Sequence, residues 1–294
     1  MFFLVALLAS EVLCHQMPVE LQDAVLLSLL NRQAPSQGPT RWTLRCLQAW
    51  VQSRWGLGSS KETLRQVLLR SGWSWKKARK LLARAHTLSR FLFLLRLKEL
   101  LEGAQRGEVV LAFVDEAHIH CDCDLGYAWG LRGQPLLVHS TTPGLSFKSS
   151  FYGIYLVPLG RVEIWPAPKA DTDQTCQMLS RLRQDYPHQK LVILWDGAPY
   201  HRSAAVGEQA DKLGICLVPL PGYSPDLMPV EALWRWLRQQ VTGNYCHASV
   251  AELLERVASF AWTINLEPEL VAARLAPKTS LDPAEEELRI SNWS

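Results

Sequence analysis

The spacing of apolar residues divides the chain into a helical N-terminal part and a part in which strands and helices alternate. Up to about residue 106 the apolar positions recur every three to four residues, which is typical of amphipathic helices. Helices are predicted at 18–32, 40–56, 59–72 and 74–103. Two short helices joined by a tight turn, with Arg and Lys on the second, are typical of a helix-turn-helix DNA reader. An ordinary helical bundle has the same pattern, so both interpretations stay open.

From Glu108 onward the period changes, and continuous apolar runs predict strands that are buried on both faces. Strands are predicted at 109–116, 127–131, 149–157, 190–197 and 215–220, and helices at 171–186, 203–214 and 229–241. This order predicts an α/β domain with a mixed sheet flanked by helices. The predicted domains are a helical region with a partial helix-turn-helix at 1–107, the α/β domain at 108–265 and a loosely held, acidic C-terminal tail at 266–294.

Two of the predicted buried strands end in an aspartate. The run VVLAFVDE delivers Asp115 and the run KLVILWDG delivers Asp196. In open α/β sheets, ligands bind beyond the carboxyl ends of the strands, so both carboxylates are expected at the functional edge. The alternative is that each Asp simply caps the turn that follows its strand.

A third carboxylate follows an unusually stiff connector. Four prolines lie between Val218 and Glu231, and proline restricts the backbone to a few conformations. Glu231 is predicted at the border of the apolar stripe of its helix, on the same flank as Arg238. A first-turn Glu paired with Arg235 is the simpler interpretation, but it does not explain the prolines.

Three carboxylates at one sheet edge would repel one another unless a cation joined them. Hard oxygen ligands favour Mg²⁺ or Mn²⁺, which also bind phosphates. Two such ions can assist the in-line displacement at a phosphodiester. The residues alone therefore predict metal-assisted phosphodiester chemistry next to a basic helical region.

The stretches FVDEAHIH, LWDGAPYH and LPGYSPDLMPVEALW resemble, in this order, the three acidic motifs of DDE transposases of the mariner-like superfamily of insertion sequences. The matching positions are Asp115, Asp196 and Glu231, and 34 residues lie between the last two. That short spacing is typical of the group. The resemblance covers roughly 108–257.

This chain departs from the family pattern at some positions. Gly197 and Met228 stand where family members often have Asn. Residues 41–80 resemble only the second part of the longer, two-part helix-turn-helix region with which the family usually opens. The chain is therefore expected to be an N-terminally shortened member.

The resemblance implies an RNase H-like fold, preceded by an all-α, helix-turn-helix-type N-terminal region. It implies that Asp115, Asp196 and Glu231 are the catalytic carboxylates and hold Mg²⁺ (or Mn²⁺), with two ions expected. The implied reaction is hydrolytic cleavage at the ends of a transposon, followed by transfer of the freed 3′-hydroxyl end into target DNA. A homodimer or larger assembly is also implied.

The distribution of charge supports a DNA partner. Although the net charge is only +3, the segment 41–90 holds twelve Lys or Arg residues and one acid. A local basic excess favours a polyanion partner, and a solvated helical face is the alternative. Phosphate contacts on double-stranded DNA are expected from five basic side chains: Arg65, Lys76, Lys77, Arg79 and Lys80.

Other residues near the acidic motifs are secondary candidates. Glu116 points to the opposite strand face from Asp115 and is a second choice as a ligand, while His201 and Arg238 are possible accessory residues. The stretch HIHCDCD invites a zinc site, but its His and Cys would face opposite sides of a strand.

Three function classes remain after these observations. Besides a transposase, the chain is compatible with a DNA-binding transposase remnant without activity, or with a stand-alone RNase H-like nuclease. Seven scattered cysteines without a C-x-x-C pair favour reduced thiols in a cytoplasmic protein. The resemblance to insertion-sequence transposases implies a protein of prokaryotic type that is bound to the nucleoid when on DNA. The apolar leader MFFLVALLAS lacks a positively charged start, so neither secretion nor a membrane partner is expected.

Overall fold

The computed structural model describes residues 41–77, 80–82, 84–144 and 146–291. The chain divides into two compact units, with the boundary between Lys80 and Leu81. The helix predicted at 18–32 and the expectation about the leader lie outside the described residues.

The described part of the first unit holds two short helices, α1 (Leu44–Trp55) and α2 (Lys61–Arg70). The Thr43 hydroxyl caps α1 by accepting from the Cys46 amide at 3.2 Å, and the helix ends at Gly56, whose φ of 69° suits glycine. The Ser60 hydroxyl caps α2. Buried side chains from both helices form their shared core: Leu47, Val51, Leu64 and Val67.

The second unit is built on one five-stranded sheet with the order β3-β2-β1-β4-β5. The strands are β1 (Val110–His120), β2 (Lys148–Val157), β3 (Arg161–Ala167), β4 (Leu191–Trp195) and β5 (Ile215–Pro219). β1, β2 and β3 pair antiparallel, whereas β4 and β5 continue parallel to β1. The predicted mixed sheet is confirmed, but the strand predicted at 127–131 is wrong, because that segment is an exposed loop.

Helices cover both faces of the sheet. They are α3 (Thr87–Gln105), α4 (Thr172–Asp185), α5 (Ala204–Leu213), α6 (Val230–Leu237), α7 (Val250–Ile264), α8 (Pro268–Arg274) and α9 (Pro283–Ser291). Successive residues of β1 enter different cores: Phe113 packs with α3, α6 and α7, while Val114 packs with α4 and α5. None of the helices within the described residues has the length and apolar character needed to cross a bilayer.

Helix α3 is shorter than the sequence pattern predicts. It begins at Thr87 instead of Ser74, and the His86 side chain caps it by accepting from the Ser89 amide at 3.3 Å. Lys76 and Lys77 are exposed in the segment before this cap. Most helical stability comes from packing of an apolar face, which this basic segment does not bury.

The C-terminal segment is folded, so the prediction of a loosely held tail is wrong. Val271 of α8 and the following Leu275 are buried in the main core. On α9, Glu286 and Arg289 are buried, and both join an ion-pair network with Arg90 of α3. The acidic residue Glu286 is thus paired with arginines inside the protein. The amino-acid composition of the segment does not reveal such pairing.

Candidate active site

Asp115 lies in β1, and Asp196 directly follows β4, the neighbouring parallel strand. In the ladder between β1 and β4, Phe113 is opposite Leu194. Asp115 comes two residues after Phe113, and Asp196 comes two residues after Leu194. Neighbouring strands are about 4.8 Å apart. β4 ends at Trp195, whereas β1 continues past Asp115 to His120 in its pairing with β2. The two aspartates therefore lie at the carboxyl end of β4, where ligands bind in open α/β sheets.

The carboxylate of Asp115 lies in an apolar and negatively charged setting. Burial raises the pKa of Asp115 to about 7, and the negative charges of Glu231, Glu116 and Asp196 contribute in the same direction. The Trp234 indole opposes this shift, because its Nε1–H donates to Asp115 Oδ2 at 3.0 Å. Three other carboxylates thus raise the pKa of Asp115.

Glu116, Asp196 and His201 form a second arrangement on the other face of β1. His201 is buried in the short turn Tyr200–Arg202, and its Nδ1 and Nε2 donate to Asp196 Oδ1 and Glu116 Oε1, both at 2.9 Å. Burial opposes protonation of His201, but the two carboxylates outweigh it and raise its pKa to about 9. The same contact holds the pKa of Asp196 below its usual value.

Among the described residues, these three side chains form a group that could hold a metal ion. Their potential ligand atoms all lie within 4.8 Å of one another. The Trp195 indole stacks on the His201 ring, with centroids 4.2 Å apart, and the Tyr200 hydroxyl donates to Glu116 Oε2 at 3.3 Å. From the sequence alone, Glu116 is a second choice as a ligand and His201 is an accessory residue. Only the fold reveals that the two residues share a hydrogen bond.

Glu231 stands in the first turn of α6, on the exposed side of the helix. Buried neighbours Val230, Leu233 and Trp234 fix this helix on the sheet. No ion pair joins Glu231 to Arg235 within the described residues, so the simpler interpretation of Glu231 gains no support. Glu231 is instead close enough to Asp115 for its charge to raise the pKa of that residue.

Comparison with known proteins agrees with this arrangement of acidic residues. Residues 110–254 match the family described as DDE superfamily endonuclease, and this stretch spans β1 to α7 with Asp115, Asp196 and Glu231. The chain contains a DDE superfamily endonuclease domain. Residues 38–86 match the winged helix-turn-helix family, which confirms the helix-turn-helix interpretation of α1 and α2.

One curated relative extends the match beyond the DDE domain. The uncharacterized 39 kDa protein of insertion element IS630 from Shigella sonnei is 25% identical over 230 residues, which is 77% of this chain and 65% of that protein. This chain therefore matches less than two thirds of the relative's length.

Solved structures of Mos1 transposase have the same fold. The mariner Mos1 paired-end complex with Mg is 19% identical, with a TM-score of 0.56 over 90% of this chain and 80% of that chain. The paired-end complex with Mn has 14% identity and a TM-score of 0.55 over 94% of this chain and 91% of the other. The Mos1 strand transfer complex has 15% identity and a TM-score of 0.52, at 94% and 92% coverage. The predicted RNase H-like fold is thereby confirmed.

An ionic brace holds the connector that leads to Glu231 in the DDE domain. Asp226 lies in the turn Pro225–Leu227 and accepts a bidentate pair from the fully buried Arg90, at 2.9 and 2.8 Å. Lys278 also donates to Asp226, at 2.9 Å, and Arg90 reaches on to Glu286 at 3.2 Å. The partners of Asp226 lie far away along the chain, so the sequence reveals only the prolines of this connector.

The brace predicts that the stability of the protein depends on pH in the acidic range. Arg90 and Lys278 more than offset the burial of Asp226 and hold its pKa well below the usual value near 4. A depressed Asp pKa contributes stability that is complete above about pH 4 and is lost as the pH falls below it. Replacing Asp226 by Asn should therefore lower Tm at pH 7 and flatten the fall in Tm between about pH 4 and pH 2. An unchanged slope in a thermal-unfolding series would contradict the ionic role of Asp226.

The remaining predicted site residues are Arg238 in the second unit and the basic residues of the first unit. Arg238 follows α6 and donates from Nη2 to the His118 carbonyl at 2.9 Å, so it ties the helix to the end of β1. In the first unit, Arg65 forms two hydrogen bonds with Glu62, at 2.8 and 2.6 Å, while Lys76, Lys77 and Lys80 are exposed. Arg79 lies outside the described residues.

Proposed function

We propose that this protein is a transposase that cleaves double-stranded DNA at the ends of a transposable element and joins those ends to target DNA. The observation that carries the proposal is the placement of Asp115 in β1 and of Asp196 directly after the neighbouring parallel strand β4 in a DDE domain. Glu231 lies close enough to Asp115 for its negative charge to raise the pKa of that residue. The Mos1 complexes with transposon ends and with strand-transfer DNA support this choice of reaction.

We further propose that Asp115, Asp196 and Glu231 hold divalent metal, Mg²⁺ or Mn²⁺, with two ions at the complete site. The donor set fits, because these are hard carboxylate oxygens whose mutual repulsion a cation would relieve. When bound, such ions activate an attacking oxygen and stabilise the leaving oxygen of a phosphodiester. Glu116 and Asp196 are joined by His201, which donates to both carboxylates and so supports them instead of binding the cation.

The protein's own residues prepare the site for this chemistry. His201 fixes Asp196 by bonding one of its oxygens, and Trp195 holds the imidazole ring in place. Trp234 fixes Asp115 in a similar way from α6. Locked side chains of this kind preorganise ligands and reduce the reorganisation needed during the reaction.

DNA is bound, in this proposal, by the winged helix-turn-helix unit and by its basic side chains Arg65, Lys76, Lys77, Arg79 and Lys80. Contacts to phosphates position DNA without reading its sequence. A protein that acts on two transposon ends is expected to work as a homodimer or a larger assembly. It would act in the cytoplasm, at the nucleoid.

Replacing both Lys76 and Lys77 by Gln is expected to weaken DNA binding and its dependence on salt. Each lost phosphate contact reduces the slope of log K against log salt concentration by roughly 1. The slope of the double variant should therefore be smaller in magnitude by about 2. The measurement is fluorescence anisotropy on duplex DNA at several salt concentrations. Lys212→Gln, an exposed lysine in the last turn of α5, is the control and should leave the slope unchanged. An unchanged slope in the double variant would remove these lysines from the DNA interface.

Nicking of supercoiled plasmid tests the proposed activity directly. The full chain with Mn²⁺ or Mg²⁺ should nick the plasmid, and Asp196→Asn should reduce the rate by at least about 100-fold, because a metal ligand is lost. Binding of duplex DNA by Asp196→Asn should remain, since Asp196 lies in the other unit from the helix-turn-helix. Tight DNA binding by the wild type without nicking would identify a DNA-binding remnant and contradict the proposal.

A joining assay separates a transposase from a stand-alone nuclease. The substrate is a pre-cut transposon end with a free 3′-hydroxyl, mixed with a target plasmid and Mn²⁺. The proposal predicts covalent end–plasmid products that are absent with Asp196→Asn. Nicking without any joined product would favour the nuclease.

A further inference from the structure

The Trp234 indole makes a direct contact with a carboxylate of the candidate active site. Its Nε1–H donates to Asp115 Oδ2 at 3.0 Å, and the indole is buried. Tryptophan has only this one hydrogen-bond donor and no acceptor, so the bond has a single direction. The contact fixes one oxygen of Asp115 and leaves Oδ1 outside this bond.

The Trp234 indole packs against a glycine, which has no side chain, on the neighbouring strand β2. Gly153 is opposite Asp115 in the ladder between β1 and β2. A Cβ at Gly153 would lie 2.5 and 2.7 Å from Cζ2 and Cη2 of Trp234 and 3.0 Å from Val230 Cγ1. Since real atoms do not approach so closely, only glycine lets the indole lie against β2 beside Asp115.

The same helix carries the third candidate ligand. Glu231 lies three residues before Trp234, within the first turn of α6, and residues at this spacing are neighbours on a helix surface. A rigid turn of helix therefore joins the indole to the backbone that presents Glu231. Any shift of the indole on Gly153 changes the position of Glu231 relative to Asp115.

We propose that Trp234 is a positioning residue that orients the Asp115 carboxylate through its indole N–H and sets the separation between Asp115 and Glu231. The inference rests on the proposed function, because it assigns Trp234 a role at the metal site. It distinguishes Trp234 from a residue that only fills the core, since a packing role needs the ring but not the N–H group.

Trp236 provides a matched control on the same helix. It is also buried, but within the described residues its Nε1 has no hydrogen-bond partner. Trp234→Phe and Trp236→Phe each remove one indole from a buried site, and only the first removes a bond to a carboxylate. Their comparison separates the hydrogen bond from the loss of packing.

The main experiment measures Mn²⁺ binding to the full chain by electron paramagnetic resonance, with no reaction required. Loss of a group that orients a metal ligand typically weakens metal affinity 10–100-fold. Trp234→Phe is expected to weaken Mn²⁺ binding by roughly that factor, whereas Trp236→Phe should bind Mn²⁺ like the wild type. The Mn²⁺ concentration for half-maximal nicking should rise in parallel for Trp234→Phe, with a smaller change in the rate at saturating Mn²⁺.

A second readout leaves both tryptophans in place, in case Trp234→Phe does not fold. The indole N–H resonances of the ¹⁵N-labelled protein are compared between the wild type and Asp115→Asn. The Trp234 resonance should shift, because its acceptor loses its charge, while the Trp236 resonance should stay in place.

The outcomes are distinguishable. If Trp234→Phe binds Mn²⁺ as tightly as the wild type, the positioning role of Trp234 is overturned and the metal site is not. An unchanged Trp234 resonance in Asp115→Asn has the same meaning. A wild-type protein that binds no Mn²⁺ overturns the proposed metal site, and this inference with it. Mn²⁺ binding without nicking overturns the proposed activity but leaves the role of Trp234 supported if the two variants differ as expected.

Discussion

Replacing Gly153 with alanine is expected to destabilise the protein by about 1–3 kcal/mol, the usual effect of an extra methyl group in a packed core. The new Cβ would overlap Trp234 and press on Val230, so α6 must move away from the sheet. Because α6 carries Glu231 and holds Asp115, DNA nicking should fall by more than the loss of folded protein explains. The measurements are urea unfolding and plasmid nicking at a temperature where the variant is folded.

Gly207→Ala is the matched control for this experiment. Gly207 lies within α5, and a Cβ there would meet no atom within 4 Å. Alanine inside a helix is favoured over glycine by roughly 1 kcal/mol, so this variant should be slightly more stable and fully active. If Gly153→Ala were as stable and active as Gly207→Ala, the close packing of Trp234 on β2 would be contradicted.

Replacing Arg90 with methionine is expected to cost up to about 3–5 kcal/mol of stability, because Asp226 and the buried Glu286 lose the cation that they share and keep only Lys278 and Arg289. Arg90 is fully buried and bonds both Asp226 and Glu286. The loss should release the turn before α6 and the helix α9 together. Thermal unfolding followed by circular dichroism measures the loss of stability. Proteolysis near residue 280 measures the release of α9.

Arg106→Met is the control for the buried pair. Arg106 pairs with Glu108 at 2.7 Å, but both side chains are 57% exposed. An exposed ion pair contributes only about 0–1 kcal/mol, so this variant should unfold close to the wild type. Equal stability of the two variants would show that the Arg90 network does not hold the connector.

The sheet could be predicted from the sequence where its strands are continuous apolar runs. β1 and β4 have this property because they are central strands buried between two layers of helices, and the edge strand β5 contributes Ile215 and Val218 to the two cores. β3 escaped prediction because it is an edge strand that carries Arg161, Glu163 and Pro166, which a central strand seldom accepts. Conversely, the aromatic residues Tyr127 and Trp129 suggested a strand, although both are fully exposed in a loop with several glycines.

The candidate site could be predicted only as far as local motifs extend. The ends of two apolar strands and a proline-rich turn identify Asp115, Asp196 and Glu231 as candidates, and these assignments remain proposals. The hydrogen bond between Glu116 and His201 depends on how β1 meets the turn after β4, 85 residues further along the chain. No periodicity or spacing encodes a contact of that kind.

The proline-rich connector before Glu231 has the same limit. Stiffness could be inferred from its prolines, but the ionic brace through Asp226 requires Arg90, 136 residues earlier in the chain. The hydrogen bond of Trp234 to Asp115 spans 119 residues. The helix that presents Glu231 is thus fixed at two points by long-range contacts, and only the folded chain reveals both.

The central claim is that Asp115, Asp196 and Glu231 share a metal site. The most direct test is a crystal structure of the full chain soaked with Mn²⁺, with the ions located by anomalous scattering. We expect Mn²⁺ in contact with the carboxylates of Asp115 and Asp196, with Glu231 completing the site. Manganese bound by Glu116 and His201 and remote from Asp115, or no manganese at this sheet edge, would contradict the account.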